Sequence, residues 1–271
     1  MADLSVVIVN YNTRDLLRNC LQSLRACDGL DLEVIVVDNA SPDHSAPMVD
    51  DEFPDMILLA QAQNTWFCGG NNIGIDRATA DYVLLLNPDT VVEPDALPLM
   101  LDFIQEHPEY VGVTGQMHYP DGGIQQTCSK IPTYASLLWN YTPLGMLLPT
   151  LKKRVNQDLW YDGWERDSSR EVDVIPGSCT MMRREDIRLD GDLLLYFPED
   201  TLAQRHQRPC YFLADAKIEH YEKAATQTWS ATSIFFRDMM VYTRKHHGRL
   251  AMGLLWLLSR PLYWGMWWKH R

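Results

Sequence analysis

The stretch from Leu84 to Thr90 reads L-L-L-N-P-D-T and joins an apolar run to a polar turn. The run begins at Tyr82 and stops at Asn87-Pro88, because proline has no N–H to continue strand pairing. A short, wholly apolar run is typical of a parallel strand buried on both faces. Ligands of open α/β sheets bind at the carboxyl ends of such strands, so Asp89 is expected at a crevice. Taken alone, the stretch fits equally well a turn that Asp89 only caps.

Two earlier apolar runs, at 4–9 and 32–37, also end in polar residues. Asn10 and Tyr11 follow the first run, and Asp38 follows the second. Helical spacing of apolar residues separates the runs, and this strand–helix–strand order predicts a parallel sheet with right-handed crossovers. The carboxyl ends of parallel strands meet at one edge, so these polar ends are expected beside Asp89. Three polar ends at one crevice predict a binding site.

A glycine-containing stretch follows, from Asn64 to Gly74. Its paired glycines, Gly69 and Gly70, are expected just before a helix, where a ligand can approach the backbone and the helix N-terminus favours an anion. The spacing is neither that of a Walker loop nor that of a G-x-G-x-x-G fingerprint. An ordinary Gly-Gly turn is the alternative.

The second half of the chain predicts shorter elements. The expected strands lie at 111–113, 172–175, 179–183, 211–213 and 216–218, and the expected helices at 95–107 and 202–206. A hairpin is predicted around Asp121-Gly122-Gly123. The segment 131–170 is rich in aromatic residues and proline and has no clear period. It is interpreted as loops and short helices that form either an acceptor or membrane-facing element, or a packed lid.

Composition excludes some classes of function. The chain has 271 residues, 46% of them hydrophobic and 22% charged, which fits one large globular domain or two small ones. Its net charge of −12 argues against general nucleic-acid binding, which requires a basic surface. The six cysteines form no C-x-x-C pair, and Met1-Ala2-Asp3 begins no signal peptide, so reduced thiols in a cytoplasmic protein are expected. No apolar run reaches the roughly 20 residues that span a bilayer.

The C-terminal tail differs in charge from this acidic body. From Arg237 onward it has one acid, Asp238, and seven basic residues. These are Arg237, Arg244, Lys245, Arg249, Arg260, Lys269 and Arg271. A helix is predicted at 230–247, ended by Gly248, and Arg260-Pro261 is expected to interrupt the apolar segment behind it. Four of the nine tryptophans lie in that segment, which favours a membrane interface over the alternative of a helix docked on the core.

Together these motifs resemble the family 2 glycosyltransferases with a GT-A fold, especially a bacterial branch of rhamnosyltransferase-like enzymes. No single motif is decisive, but they occur in family order over nearly the whole chain. The matching pieces are 4–12 (L-S-V-V-I-V-N-Y-N), 36–41 (V-V-D-N-A-S), Asn64 to Gly74, Leu84 to Thr90, 176–178 (P-G-S), 196–205, His220 and 244–248 (R-K-H-H-G).

The resemblance implies a nucleotide-diphosphate sugar as donor and Mg²⁺ or Mn²⁺ as cofactor. Asp89 matches the last acid of the family's D-x-D motif, and His220 matches a late histidine that approaches the same metal or diphosphate. A divalent cation neutralises the charge that develops on a diphosphate leaving group. Positions matched to donor binding are Asn10, Tyr11, Asp38, Asn64, Gly70, Asn71 and Asn87, with Tyr11 and Asp38 at the nucleobase.

The resemblance also implies inversion by a single displacement, which requires one base to take the acceptor proton. The family's Y-F-E-D-x-D-L-x-x-R reads Y-F-P-E-D-T-L-A-Q-R here, from Tyr196 to Arg205. Aligned on its two ends, Glu199 takes the base position and Thr201 replaces the second acid. Aligned on the Glu-Asp pair, Asp200 is the base, and this is the assignment we favour, with Glu199 second.

Two further departures from the family pattern concern the donor side. Asn87 replaces the first D-x-D acid, a substitution that this branch often shows, and it leaves the metal site with one strong carboxylate. Trp66 stands where the family often has glycine.

The predicted fold is therefore an α/β, GT-A (Rossmann-like) mixed sheet flanked by helices. Residues 1–228 form the catalytic domain, with a nucleotide-sugar half at 1–116 and an acceptor and catalytic half at 117–228, and 229–271 form a helical, membrane-interfacial segment. The predicted function is inverting transfer from a dTDP- or UDP-sugar, with dTDP-rhamnose the first candidate. The acceptor is a glycan or lipid-linked molecule of cell-surface polysaccharide synthesis, at the inner face of a membrane.

Two other functions remain open from the sequence. The altered acid motif fits a catalytically silent nucleotide-binding or assembly subunit of a glycan-synthesis complex. A nucleotidyltransferase would share the α/β crevice but would release pyrophosphate instead of a nucleoside diphosphate.

Overall fold

A computed structural model describes residues 2–221 and 229–269 of the chain. Its strands are β1 (Leu4–Asn10), β2 (Leu32–Asp38), β3 (Ile57–Ala60), β4 (Tyr82–Leu86), β5 (Thr90–Val92), β6 (Gly112–His118), β7 (Arg170–Val172), β8 (Cys179–Arg183) and β9 (Cys210–His220). Its helices are α1 (Arg14–Arg25), α2 (Ser45–Glu52), α3 (Trp66–Arg77), α4 (Ala96–Glu106), α5 (Tyr134–Tyr141), α6 (Leu144–Leu147), α7 (Pro149–Leu159), α8 (Pro198–His206) and α9 (Trp229–Lys269).

The strands form one mixed sheet in the order β3-β2-β1-β4-β8-β6-β9-β5, with β7 also paired to β9. The first four strands of this order are parallel, and β8 runs antiparallel between β4 and β6. The uninterrupted apolar runs of β1 and β4 are buried because helices cover both faces of the sheet. The predicted α/β mixed sheet flanked by helices is confirmed.

Two hydrophobic clusters lie on opposite faces of the sheet. One contains buried residues of α1 and α4, such as Leu17 and Leu97, and the other contains buried residues of α3 and α8, such as Ile75 and Leu202. A third, separate cluster joins α5 to α9. The sheet is therefore packed between two layers of helices, and this packing positions the residues that follow each strand.

Several sequence-based boundaries in the second half of the chain were wrong. The strand expected at 172–175 ends at Val172, and the helix expected at 202–206 begins at Pro198. The strands expected at 211–213 and 216–218 are one strand, β9, whose pairing with β6 shifts register between Gly115 and Gln116. An irregularity of this kind inserts residues without ending the strand, so an interrupted apolar pattern was mistaken for two elements.

The C-terminal segment is also more continuous than predicted. Gly248 has φ 89° and breaks α9 as expected, but helix resumes directly behind it and passes through Pro261. Within residues 2–221 and 229–269, no helix combines the length and apolarity required to cross a bilayer. The predicted domain boundary at residue 228 lies outside the described residues.

Candidate functional site

The ends of β1 and β2 meet at a pair of buried polar side chains. Asn10 lies opposite Asp38 in the parallel register, and its amide donates to Asp38 Oδ1 at 2.8 Å and to Ser41 Oγ at 3.0 Å. Asp38 Oδ2 accepts the Ser41 N–H at 3.0 Å, so both carboxylate oxygens have partners. Tyr11 next to them is 45% exposed. The structure brings these three predicted donor-binding residues together, and Tyr11 is the accessible one of the two predicted at the nucleobase.

The glycine-containing stretch differs from its prediction. Helix α3 begins at Trp66, so Gly69 and Gly70 lie inside the helix and not before it. A Cβ on Gly70 would lie 2.7 Å from Val9 Cγ1, which means that glycine is required here for α3 to pack against β1. Asn71 is buried in the same helix, and its amide donates to the Phe67 carbonyl at 2.9 Å. Gly70 and Asn71 therefore have a structural role in this fold.

Asn39, which lies in the matching motif 36–41 but was given no role of its own, ties the start of α3 to β2. Asn39 is buried, its Oδ1 accepts the Thr65 N–H at 3.1 Å, and its amide donates to the Trp66 carbonyl at 3.2 Å. Asn64, predicted in the donor region, accepts the Trp66 N–H at 2.7 Å on its side-chain oxygen. The helix N-terminus thus lies beside the ends of β1 and β2, as the predicted crevice requires.

Asp89 and His220 meet where β5 pairs with the end of β9. Thr90 is opposite His220 in the antiparallel register, and the Tyr221 N–H donates to the Asp89 carbonyl at 2.9 Å. This pairing leaves His220 Nε2 3.5 Å from Asp89 Oδ1, with both residues buried. Asn87 is anchored nearby, since its N–H donates to the Ser178 carbonyl at 3.0 Å. Residues predicted from distant parts of the sequence are therefore adjacent.

Gln125 fixes the orientation of His220 and was missed by sequence reasoning. Its side-chain Nε2 donates to the His220 carbonyl at 2.7 Å, so its Oε1 must face His220 Nδ1, which lies 2.9 Å away. An amide oxygen only accepts, and His220 Nδ1 must therefore carry the proton. In the neutral imidazole this leaves a lone pair on Nε2, on the side of Asp89.

The chemistry of this pair fits a divalent cation shared with a phosphate ligand. The described part of the chain contains no group of three or more His, Cys, Asp or Glu side chains arranged to hold a metal. Mg²⁺ and similar cations are usually held by one or two carboxylates together with substrate phosphates, so an all-protein cage is not required. A histidine that donates from one ring nitrogen presents the other as a ligand. Asp89 and His220 Nε2 supply these two donors.

Glu199 and Asp200 lie in the first turn of α8. Burial raises the pKa of Glu199 to about 7, while the Gly177 N–H that donates to its carboxylate opposes the shift. Burial and then the neighbouring charge of Glu199 raise the pKa of Asp200 to about 8. A Cβ on Gly177 would collide with Glu199 Oε1, so glycine is needed for this contact.

Both acids line a cavity of about 360 Å³. Its walls come from α5, the segment between β6 and α5, the segment between β7 and β8, and the first half of α9. They include Leu137, Asn140, Tyr141, Trp160, Tyr196 and Phe235. An acid with a raised pKa in a largely apolar cavity is an arrangement typical of general bases and acids. The excursion at 131–170, predicted to be either an acceptor element or a packed lid, forms one wall of this cavity.

Asp238 holds the segment before these acids and was counted in the sequence only as a charge. It is fully buried, and its Oδ2 accepts the N–H groups of Leu194, Leu195 and Tyr196 at 3.1, 2.8 and 3.0 Å. One carboxylate oxygen thus fixes three consecutive peptide groups immediately before α8. Asp238 thereby connects α9 to the position of Asp200.

Comparisons with known proteins agree with this architecture. The model of the family described as Glycosyl transferase family 2 matches residues 5–189. The succinoglycan biosynthesis protein ExoO of Rhizobium meliloti is 32% identical over 102 residues, which are 37% of this chain and 29% of that protein. A poly-beta-1,6-N-acetyl-D-glucosamine synthase of Staphylococcus aureus is 28% identical over 139 residues, 50% of this chain and 33% of that protein. The chain spans about a third of the length of these curated relatives.

Solved structures show the same fold at low sequence identity. S. aureus TarS 1–349 superposes with a TM-score of 0.56 at 16% identity, over 88% of this chain and 64% of that one. The mannosyltransferase PcManGT from Pyrobaculum calidifontis, in complex with GDP-Man and Mn²⁺, superposes with a TM-score of 0.60 at 15% identity, over 90% and 64%. TarS 1–349 has also been solved in complex with UDP-GlcNAc, and that structure has a TM-score of 0.54.

The raised pKa values of the acid pair predict a pH-dependent effect on stability. Both carboxyls bind protons more tightly in the folded than in the unfolded chain, so their ionisation destabilises the fold as pH rises from about 4 to 8. Asp200→Asn should therefore increase the melting temperature, relative to wild type, more at pH 8 than at pH 5. The matched control is Asp192→Asn, because a contact with Lys245 lowers the pKa of Asp192 and no gain is expected at pH 8. If Asp200→Asn changed the melting temperature equally at pH 5 and pH 8, the raised pKa assigned to Asp200 would be wrong.

Proposed function

The chain belongs to glycosyl transferase family 2, and on that basis we propose that it is an inverting glycosyltransferase of cell-surface polysaccharide synthesis. It transfers a sugar from a nucleoside-diphosphate donor to a glycan or lipid-linked acceptor at the inner face of a membrane. The observation that carries the proposal is the contact between Asp89 and His220, 3.5 Å apart at the carboxyl edge of the sheet. It supplies a carboxylate oxygen and an imidazole nitrogen that can bind a cation, and through the cation a diphosphate, at the edge of the sheet where α/β folds bind ligands.

The donor lies along the carboxyl ends of β1, β2 and β4 in this proposal. Tyr11 and Asp38 contact the nucleobase, and the first 116 residues form the nucleotide-sugar half. Structures with the same fold hold UDP-GlcNAc in TarS and GDP-Man with Mn²⁺ in PcManGT, which supports a nucleotide-sugar donor for this chain. A dTDP- or UDP-sugar, with dTDP-rhamnose first, remains our proposal for its identity.

Asp89 and His220 are assigned to Mg²⁺ or Mn²⁺ with the diphosphate of the donor. A divalent cation there supplies positive charge to the leaving diphosphate. Gln125 keeps the Nε2 lone pair of His220 directed to that position, and Asn87 leaves Asp89 as the strong carboxylate of the motif. Asp89 and His220 thus supply only part of the cation's ligands, and the phosphates of the donor supply others.

Asp200 is assigned as the general base. The acceptor oxygen forms a bond to the anomeric carbon as the bond from that carbon to the diphosphate breaks, and Asp200 takes the acceptor proton. Glu199 is the second candidate, but its carboxylate is engaged by the Gly177 N–H. The apolar cavity keeps the pKa of Asp200 high, at about 8, so its ionised form is a strong base once formed.

Calorimetric binding tests the donor side of the proposal. We expect one of UDP, dTDP and GDP to bind in the presence of Mn²⁺ and to bind much more weakly without it. Asp89→Ala should lower that affinity at least about tenfold, because a ligand of the cation is lost. Glu93→Ala, which removes an exposed acid of the same charge close by in the chain, should have no effect.

Two results would contradict the donor assignment. If none of the three nucleotides binds under any condition, the silent-subunit alternative replaces the transferase. If Asp89→Ala binds with unchanged affinity in Mn²⁺, the cation is held elsewhere.

The acid pair is tested by release of nucleoside diphosphate from the bound sugar nucleotide. Asp200→Asn should reduce turnover by at least about 100-fold, since the base is lost. Wild-type turnover should rise with pH through the range near 8, where Asp200 ionises. Glu199→Gln should keep more activity and move this rise to lower pH, because the charge of Glu199 raises the pKa of Asp200. Turnover that survives both single substitutions would exclude both acids.

A further inference from the structure

The second half of α9 folds back on the first half and leaves one face free. Behind the break at Gly248, Tyr263 contacts Phe236 and Trp229, with ring centroids 5.2 and 5.3 Å apart. Leu255 and Ser259, one helical turn apart, are fully buried, and Leu255 packs with Phe236 and Met239 of the first half. The second half of α9 is therefore docked along one of its faces on the first half of the same helix.

The opposite face of the same helix is wholly apolar and exposed. Its residues recur at spacings of four and three: Leu250, Leu254, Leu257, Pro261, Trp264 and Trp268. Leu250 is 92% exposed and Trp268 is 70% exposed. This spacing places all six on one side of the helix over about 27 Å. We call this set the α9 stripe.

A second exposed apolar patch lies at the junction of α6 and α7. Met146 and Leu147 are 74% and 73% exposed, and Leu148 and Leu151 are exposed beside them. Lys152, Lys153 and Arg154 follow at once in the sequence. We call residues 146–154 the α6–α7 patch.

Helix α5 connects the stripe and the patch. The Tyr134 hydroxyl donates to the Ala251 carbonyl at 2.8 Å, which fixes α5 to the second half of α9. At its other end, the Asn140 amide donates to Asn156 Oδ1 at 2.7 Å, which fixes α5 to α7. Both apolar surfaces are thus attached to one helix, and this helix lines the cavity of Asp200.

The charge near these surfaces identifies the partner. The sequence from 239 to 271 contains no acid, although the whole chain has a net charge of −12. Arg244 and Arg249 are exposed in α9, and Lys153 and Arg154 are exposed in the α6–α7 patch. A second copy of the chain docked face to face would bring like charges together. Anionic headgroups complement the charge, and the tryptophans suit the interface between headgroups and acyl chains.

We propose that the α9 stripe and the α6–α7 patch together form a docking surface for an anionic phospholipid bilayer. The helix lies in the plane of the interface with its apolar stripe among the acyl chains, and the basic residues contact the headgroups. Since α5 carries both surfaces and one wall of the cavity, docking holds that cavity at the lipid surface. This consequence rests on the proposed function, which places the acceptor at Asp200 and allows that acceptor to be lipid-linked.

Vesicle flotation of the full-length protein tests the proposal. Wild type should bind vesicles of phosphatidylcholine with phosphatidylglycerol, bind phosphatidylcholine alone much less, and lose binding at high salt. Leu257→Glu with Trp264→Glu should reduce binding at least about tenfold, and Leu147→Glu with Leu148→Glu should also reduce it. Leu99→Glu is the control, since Leu99 is 40% exposed on α4 and should be neutral. Nucleotide affinity of every variant should equal that of wild type.

Several outcomes would overturn it. The proposal fails if wild type does not bind anionic vesicles, or if the variants of the α9 stripe still bind them as wild type does. It also fails if wild type is a dimer that these substitutions dissociate, because the stripe would then be an interface with a second copy of the chain. If vesicles are bound but no nucleotide is, the docking surface stands while the proposed function fails.

Discussion

The antiparallel pairing of β5 with the end of β9 is the contact on which the candidate site depends. It places Thr90 opposite His220 and so brings Asp89 and His220 Nε2 to 3.5 Å. β9 reaches this position only because it continues across its register shift alongside β6. If the pairing slipped by one residue, His220 would face the other side of the sheet and the pair would be lost.

A second constraint keeps two acids in a largely apolar cavity. Burying an ionised carboxylate is unfavourable unless it is hydrogen-bonded, and burial therefore raises the pKa of Asp200. Hydrogen bonds fix the chain around this acid pair. Asp238 binds three successive N–H groups ahead of α8, and Glu199 is fixed against Gly177. The position of the two acids is thus fixed by neighbouring polar groups that are hydrogen-bonded.

Much of the fold could be predicted because local patterns determine it. The apolar runs of β1 and β4 predicted the positions of these strands, because a short run of this kind, bounded by polar turn residues, favours a strand buried on both faces. Gln125 and Asp238 could not be found in this way, because each acts through hydrogen bonds to residues far along the chain. The glycines of α3 misled for a related reason, since packing against β1 leaves the same sequence signature as a ligand-binding turn.

In the proposed function, Asp89 and His220 hold the cation that binds the diphosphate of a sugar-nucleotide donor. Anomalous diffraction at the manganese edge, from crystals of the protein with Mn²⁺ and the nucleoside diphosphate that it binds, would locate this cation. We expect one manganese peak within coordination distance of an Asp89 carboxylate oxygen, adjacent to His220 Nε2 and to the diphosphate. A manganese peak at a bound diphosphate away from Asp89 and His220 would contradict it.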